Sequence, residues 1–351
     1  MRYSVSDHCD GERFFNTYQK ADRSIGEVYR WMRSRERTPW PGQAPLAPHA
    51  PPPAPVPPGA VAVTFIGHST FLIRTASAVF ITDPVFTTHA GPFGRLGPRR
   101  VRPPALATGA LPPVDVVLLS HNHYDHLQPS SLRLFRRTAT YVVPLGLARF
   151  IPSSGISGYV PVFWASFVEN RMGRRGHLEL DWWESGKTGE AEITCVPAQH
   201  FSARTPWDRN ATLWCGYIVR IDGVTIYFAG DSGYSPQFAE IGRRFPGIDV
   251  ALLPIGAYEP RWFMTPAHMN PEEAVRAHRD LNPRVSLGMH FGTFQLTDEA
   301  IDEPLRALER ARVQHDVAAD AFRVLDFGET CVFAAADEEL YRRSGDQEGR
   351  R

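Results

Sequence analysis

Leu119 to Leu127 reads L-S-H-N-H-Y-D-H-L, which puts His121, His123, Asp125 and His126 into six consecutive positions. Directly ahead of it, Val114-Asp115-Val116-Val117-Leu118-Leu119 is short, β-branched and apolar, as a buried strand reads, so the polar cluster falls at a strand's C-terminal end. Residues i and i+2 of an extended chain project to one side, so His121 and His123 can share a metal ion. Asp125 and His126 lie where the chain bends away and would serve a second ion nearby. Imidazole with carboxylate suits zinc or a similar first-row ion. Burying four such groups without a cation would leave charges and donors unpaired, which is costly.

Working outward, three other strands end in a ligand-type residue: VPAQH in His200, YFAGDS in Asp231 and SLGMH in His290. Polar side chains at strand C-termini converge on one edge, where α/β sites are built. Spacing alone does not say which ion each distant residue would serve.

The 351 residues allow one large or two modest domains, and 43% hydrophobic content with 21 Phe and 8 Trp supplies a substantial core. The formal net charge is zero, so no chain-wide field draws nucleic acid or anionic lipid, and no nucleic-acid partner is expected. Cys9, Cys195, Cys215 and Cys331 are scattered without a C-x-x-C pair, which speaks against a disulfide framework or a thiolate zinc site and for a reducing, cytoplasmic setting. The opening MRYSVSDHCDGERFF has no apolar h-region, and no apolar run approaches the roughly 20 residues of a membrane span. Peripheral membrane contact stays open through Phe14, Phe15, Tyr18, Tyr29 and Trp31.

Composition divides the chain into a charged segment and Pro-rich linker at 1–60, a strand-rich domain at 61–335 and a polar tail at 336–351. Residues 39–58 hold ten prolines in twenty positions, which favours polyproline II and a solvated linker or surface wrap. Within 1–38, Ile25 to Met32 reads as a short amphipathic helix. Strands are expected at 61–66, 70–74, 78–83, 114–119, 141–146, 191–200, in a hairpin over 213–232 turning at Asp222-Gly223, at 247–258 and 284–294, and in a second hairpin over 322–334. Helices are expected after Ser235-Pro236, after the Asn270-Pro271-Glu272-Glu273 cap, and from Thr297-Asp298-Glu299 to about Arg312. Many antiparallel strands in two batches, each followed by helices, point to two packed sheets with helices outside.

The H-x-H-x-D-H array of residues 121–126 matches the signature of the metallo-β-lactamase superfamily, and His200, Asp231 and His290 follow in that superfamily's order. IGHSTFLI (66–73), TDPVF (82–86), PAQHFSARTPWDRNATLWCGY (197–217), FAGDSGY (228–234), IGAYEPRWFM (255–264), HMNPEEAV (268–275) and MHFGTFQLTDE (289–299) resemble its N-acyl-phosphatidylethanolamine-hydrolysing phospholipase D branch. The resemblance covers roughly residues 61–335. It implies a four-layer αββα sandwich holding two zinc ions: one on His121, His123 and His200, the other on Asp125, His126 and His290, with Asp231 bridging. It further implies a phosphodiesterase of phospholipase D type that releases phosphatidate and N-acylethanolamine by attack of a hydroxide shared between the ions, and it implies a homodimer. Asp125 is placed to orient that hydroxide, and His268 aligns with a histidine near the substrate phosphate. Asp83 in T-D-P and His68 in G-H-S are candidates to hydrogen-bond a metal-bound imidazole. Tyr258, Glu259, Arg261 and Trp262 are candidate pocket residues. His8, His49, His89, His177, His278 and His315 show no partner pattern, and the tryptophans of DWWE (181–184) read as strand packing. A lactonase or amidase would use the same centre, and a degenerate scaffold would lack ligands, whereas all seven are present.

Overall fold

The computed structural model describes residues 3–49, 55–151 and 176–334; the expected tail at 336–351 lies outside them. The strands are β1 Ala60–Gly67, β2 Thr70–Arg74, β3 Val79–Thr82, β4 Val116–Leu118, β5 Thr140–Pro144, β6 His177–Leu180, β7 Ser185–Thr188, β8 Ala191–Val196, β9 Gly216–Ile221, β10 Val224–Phe228, β11 Val250–Pro254, β12 Val285–Met289, β13 Phe322–Arg323 and β14 Thr330–Ala334. They form two seven-stranded sheets, ordered β14-β1-β2-β3-β4-β5-β6 and β13-β12-β11-β10-β9-β8-β7.

Alternation along the strands builds the layers. Val61, Val63, Phe65, Phe71, Ile73 and Phe80 face Ile193, Cys195, Tyr217, Val219 and Ile226 of the second sheet in one core. Ile66, Leu72 and Ile81, on the opposite face, pack under Leu127, Leu132 and Phe135. A period of two sends successive side chains to opposite faces, so a continuously apolar strand is one buried on both. Outside the second sheet run α3 Gln237–Arg244, α5 Pro271–Leu281 and α6 Glu303–Gln314. They connect β10, β11, β12 and β13, which pair in parallel and therefore need crossovers. The architecture is the expected αββα sandwich, with α1 Ile25–Arg33, α2 Pro129–Leu132 and α4 Arg261–Met264 as shorter additions.

The β9–β10 hairpin turns at Asp222 and Gly223, whose φ angles of 52° and 79° suit a type I′ turn. Asn270 caps α5 with a reciprocal Glu273 bond, and Ser24 and Glu27 do the same for α1. Both sheets are mixed, antiparallel at one end and parallel at the other. Three readings differ. Residues 322–334 are no hairpin: β13 joins β12 in one sheet and β14 joins β1 in the other, with Phe327 between them packed on Phe65 and Phe291. The last helix starts at Glu303, since Asp298 accepts from Arg35, and Glu299 accepts from the backbone N–H groups of Ala257 and Glu259. Ser235 makes no cap bond, and α3 opens after Pro236. Local sequence marks a turn or an acidic start; it does not show which distant group claims the same side chain.

The N-terminal segment is drawn into the fold. Cys9 and Phe14 sit in the inter-sheet core. In the Pro-rich stretch Trp40 donates to the Glu299 carbonyl and Ala44 N–H to the Val101 carbonyl, so its described part wraps the surface. Among the described residues no helix is long and apolar enough to cross a membrane.

Candidate metal centre

Each site residue stands just past a strand end or in a turn beside it: His68 between β1 and β2, Asp83 after β3, His121 after β4, His200 after β8, Asp231 after β10 and His290 after β12. The strands lead the chain to each of these positions, and the C-terminal edges of both sheets bring the side chains to one place. His68 and His290 adopt left-handed φ of 59° and 63°, and the His290 N–H donates to the His68 carbonyl at 2.9 Å. Non-glycine residues pay for that conformation and keep it where surrounding structure over-determines it.

Two groups of donor atoms result. Nε2 of His121 lies 2.8 Å from Nδ1 of His123, which lies 3.1 Å from Nε2 of His200. Nε2 of His126 and Nε2 of His290 are 3.2 Å apart and lie 3.4 and 3.3 Å from Oδ2 of Asp125. Oδ2 of Asp231 stands between the groups: 3.1 Å from both His126 and His290, 3.8 Å from His200 and 4.0 Å from His121. All seven expected residues are thus within one cluster.

The rings are aimed by bonds on their far sides. His200 Nδ1 donates to the Ala267 carbonyl at 2.9 Å, and His126 Nδ1 to Asp83 Oδ2 at 2.6 Å. Asp83 also accepts from the Ser120 N–H and hydroxyl, and that hydroxyl lies 2.8 Å from His121 Nδ1. These bonds tie up the outward nitrogens and leave the inward ones as the atoms a cation would take. His68 hydrogen-bonds a carboxylate instead of an imidazole, its Nε2 being 3.0 Å from Asp125 Oδ2, while its ring packs on His290 with centroids 4.1 Å apart.

Charge in the cluster is unevenly distributed. Burial opposes ionisation of Asp125 and Asp231, yet His126 and other neighbouring imidazoles hold both well below the usual carboxylate range. Burial pushes His121 and His200 well below the imidazole range and His123 down to about 4. For His126 and His290 burial is outweighed by Asp231 and Asp125, so His126 rises well above that range and His290 is pushed up to about 9. Positive charge is drawn to the Asp125–Asp231 corner. Asp231 Oδ1 is buried with no hydrogen-bond partner among the described residues. Such an orphan costs about 1–3 kcal/mol or more when charged, and a cation among inward-facing donors removes that cost. The donor set fits divalent metal.

His268 lies at the rim, its Nδ1 buried, without a hydrogen-bond partner among the described residues and 4.0 Å from Asp231 Oδ2. Arg261 supports that loop, donating to the Tyr258 and His268 carbonyls and to Glu273. Tyr258 and Glu259 line a groove of about 860 Å³ with Glu36, Asn270 and Arg310, and none of the seven clustered residues borders it. Trp262 is 43% exposed, with Arg30 over its ring. Sequence reading missed Arg204, whose guanidinium stacks on Tyr124 and donates to the Asn122 and Leu127 carbonyls, bracing the histidine loop from behind. Its position four residues after His200 was the only available signal.

Residues 79–291 match the beta-lactamase superfamily domain. The chain is 36% identical over 284 residues to N-acyl-phosphatidylethanolamine-hydrolyzing phospholipase D 1 of Caenorhabditis elegans, covering 78% of this chain and 76% of that protein. It is 32% identical over 272 residues to a UPF0173 metal-dependent hydrolase of Opitutus terrae, covering 76% and 98%. Igni18, a metallo hydrolase from Ignicoccus hospitalis, shares the fold with a TM-score of 0.53 at 23% identity, over 78% and 98% of the two chains. The chain therefore belongs to the metal-dependent hydrolases of the metallo-β-lactamase superfamily, in the family of the N-acyl-phosphatidylethanolamine-hydrolysing phospholipases D.

Proposed function

We propose that this chain is a dizinc phosphodiesterase of phospholipase D type that hydrolyses N-acylphosphatidylethanolamine-like lipids to phosphatidate and N-acylethanolamine. The observation that carries the metal reading is Asp231: one carboxylate oxygen equidistant from His126 and His290 and within 4.0 Å of His121 and His200. Its position suits a bridge between two ions. His121, His123 and His200 would hold one zinc; Asp125, His126 and His290 would hold the other. The substrate reading is supported by the similarity to the nematode enzyme.

A bound zinc pair lowers the pKa of water towards neutrality and neutralises charge on phosphoryl oxygens. The chain's own residues do the rest. Asp125 accepts from His68 Nε2–H, which fixes the carboxylate on the reacting side. Asp83 and the Ala267 carbonyl fix the tautomers of His126 and His200. His268 Nδ1, without a hydrogen-bond partner among the described residues, can donate a hydrogen bond to a phosphoryl oxygen. Burial pushes its pKa down to about 4, so the ring is neutral and the departing alkoxide takes its proton from solvent water to become N-acylethanolamine.

The test is zinc quantification by plasma mass spectrometry with a substrate panel: an N-acylphosphatidylethanolamine, bis(p-nitrophenyl) phosphate and a lactone. Two zinc ions per chain, loss of turnover on chelation with recovery on zinc, and preference for the lipid are expected. Turnover of the lactone alone would overturn the phosphodiesterase assignment.

A further inference from the structure

We propose that Asn16 is a positioning residue for His200, so that the N-terminal strap completes the metal centre; this rests on the dizinc reading. Asn16 lies outside the segment that matches the family domain, 184 residues from the histidine it holds.

The chain leaves the β8 ladder after Val196, so the backbone of His200 has no strand partner. Asn16 supplies one. Its Nδ2 donates to the His200 carbonyl at 2.8 Å, and its Oδ1 accepts from the His200 N–H at 3.2 Å. A side-chain amide thus makes both bonds of a ladder rung. The same Oδ1 accepts from Trp214 Nε1 at 3.2 Å. Reversing the amide would turn its NH2 group against two N–H donors, so only one orientation satisfies the network. With the backbone clamped and Nδ1 tied to Ala267, the His200 ring has little freedom left, and Nε2 must point at His123.

The strap is itself well anchored. Phe14 is 1% exposed within the core, and its N–H donates to the Asn210 carbonyl at 2.9 Å. Asp22 accepts from Arg209, and the Gln199 amide donates to the Gln19 carbonyl on the strap and to Pro266 on the far side. The Gln199-His200 pair is held from two directions. His121 is steadied separately, through Ser120 and Asp83, and so are His126 and His290. Loss of Asn16 should therefore loosen one metal position and spare the other.

The experiment compares full-length wild type, Asn16→Ala and Asn16→Asp. Stepwise zinc release to a chromophoric chelator is read alongside hydrogen exchange of the His200 amide in metal-free protein. One zinc should be held as in wild type, and the other about tenfold or more weaker, within the range for groups behind a ligand. The His200 amide should exchange faster. Asp is nearly isosteric and keeps the acceptor for Trp214, so it carries the test if the alanine variant fails to fold. Unchanged affinity for both ions with unchanged exchange overturns the proposal. So does equal weakening of both ions, which would mean general loosening of the fold. A wild-type chain that binds no zinc sinks the dizinc reading instead, and the exchange rate of the His200 amide then decides the clamp alone.

Discussion

His126 and Asp83 form a pair sealed from solvent, with Nδ1 of the ring 2.6 Å from Oδ2 of the carboxylate and neither side chain exposed. The Asp83 carboxylate accepts the Nδ1 proton, so Nε2 is the nitrogen turned towards Asp231 and the one a cation would take. One hydrogen bond on the far side of the imidazole thus determines what its near side can do. Asp83 holds His126 directly and His121 through Ser120, so Asp83→Asn should weaken zinc binding in both halves of the cluster, by about tenfold to a hundredfold. Competitive chelator titration reads this directly; unchanged affinity for both ions would remove Asp83 from the role.

Asp231 is the group that touches both halves of the cluster. Asp231→Ala should lower kcat/KM by about a hundredfold to a thousandfold, the scale of losing a preorganised charged group at a reacting centre. A steady-state assay on zinc-saturated protein measures it. Turnover within a factor of about two of wild type would mean that the centre does not work through a shared carboxylate.

Phe65 ties the sheets together directly beneath the site. It is fully buried, and its ring centroid lies 4.9 Å from Phe71, 4.8 Å from Phe327 and 5.4 Å from Phe291, the residue after His290. Phe65→Ala should cost about 3–5 kcal/mol, from lost burial and the cavity left behind. Urea unfolding monitored by circular dichroism gives the value; a loss under about 1 kcal/mol would mean the core closes over the gap.

His8 bridges two acids, with Nδ1 2.6 Å from Asp7 and Nε2 2.7 Å from Asp181, and stacks on Trp182. Burial disfavours its charge, but Asp181 and then Asp7 more than offset this, and its pKa is raised above the ordinary 6.5. A pKa raised by folding means stability that is complete below the unfolded value and lost as pH rises through the folded one. His8→Gln should therefore lower the thermal midpoint most at pH about 6 and progressively less at alkaline pH. Scanning calorimetry across that range checks the sign; a gap that widens with pH would contradict it.

Much of this was legible along the chain because the relevant signals are local. An i, i+2 histidine pair behind a β-branched run, polar residues at four strand ends and Asn-Pro-x-Glu at a helix start each need only neighbouring residues to be read. β6 and β7 were missed because HLEL and SGKT lack a sustained apolar pattern; their place comes from pairing with β5 and β8. His8 showed no partner in sequence because Asp181, 173 positions away, is brought to it only by folding.

By itself, the amino-acid sequence determined the strand ends that carry the ligand-type side chains, since local periodicity and turn chemistry decide where an extended run stops and which polar residue follows. Tertiary structure alone decided which sheet took residues 330–334, that Asp231 stands between the two histidine groups, and that Asn16 clasps His200. Those outcomes depend on contacts between residues tens to hundreds of positions apart. Such pairings are selected by shared burial and by satisfaction of hydrogen bonds in three dimensions, neither of which leaves a periodic trace in a single chain.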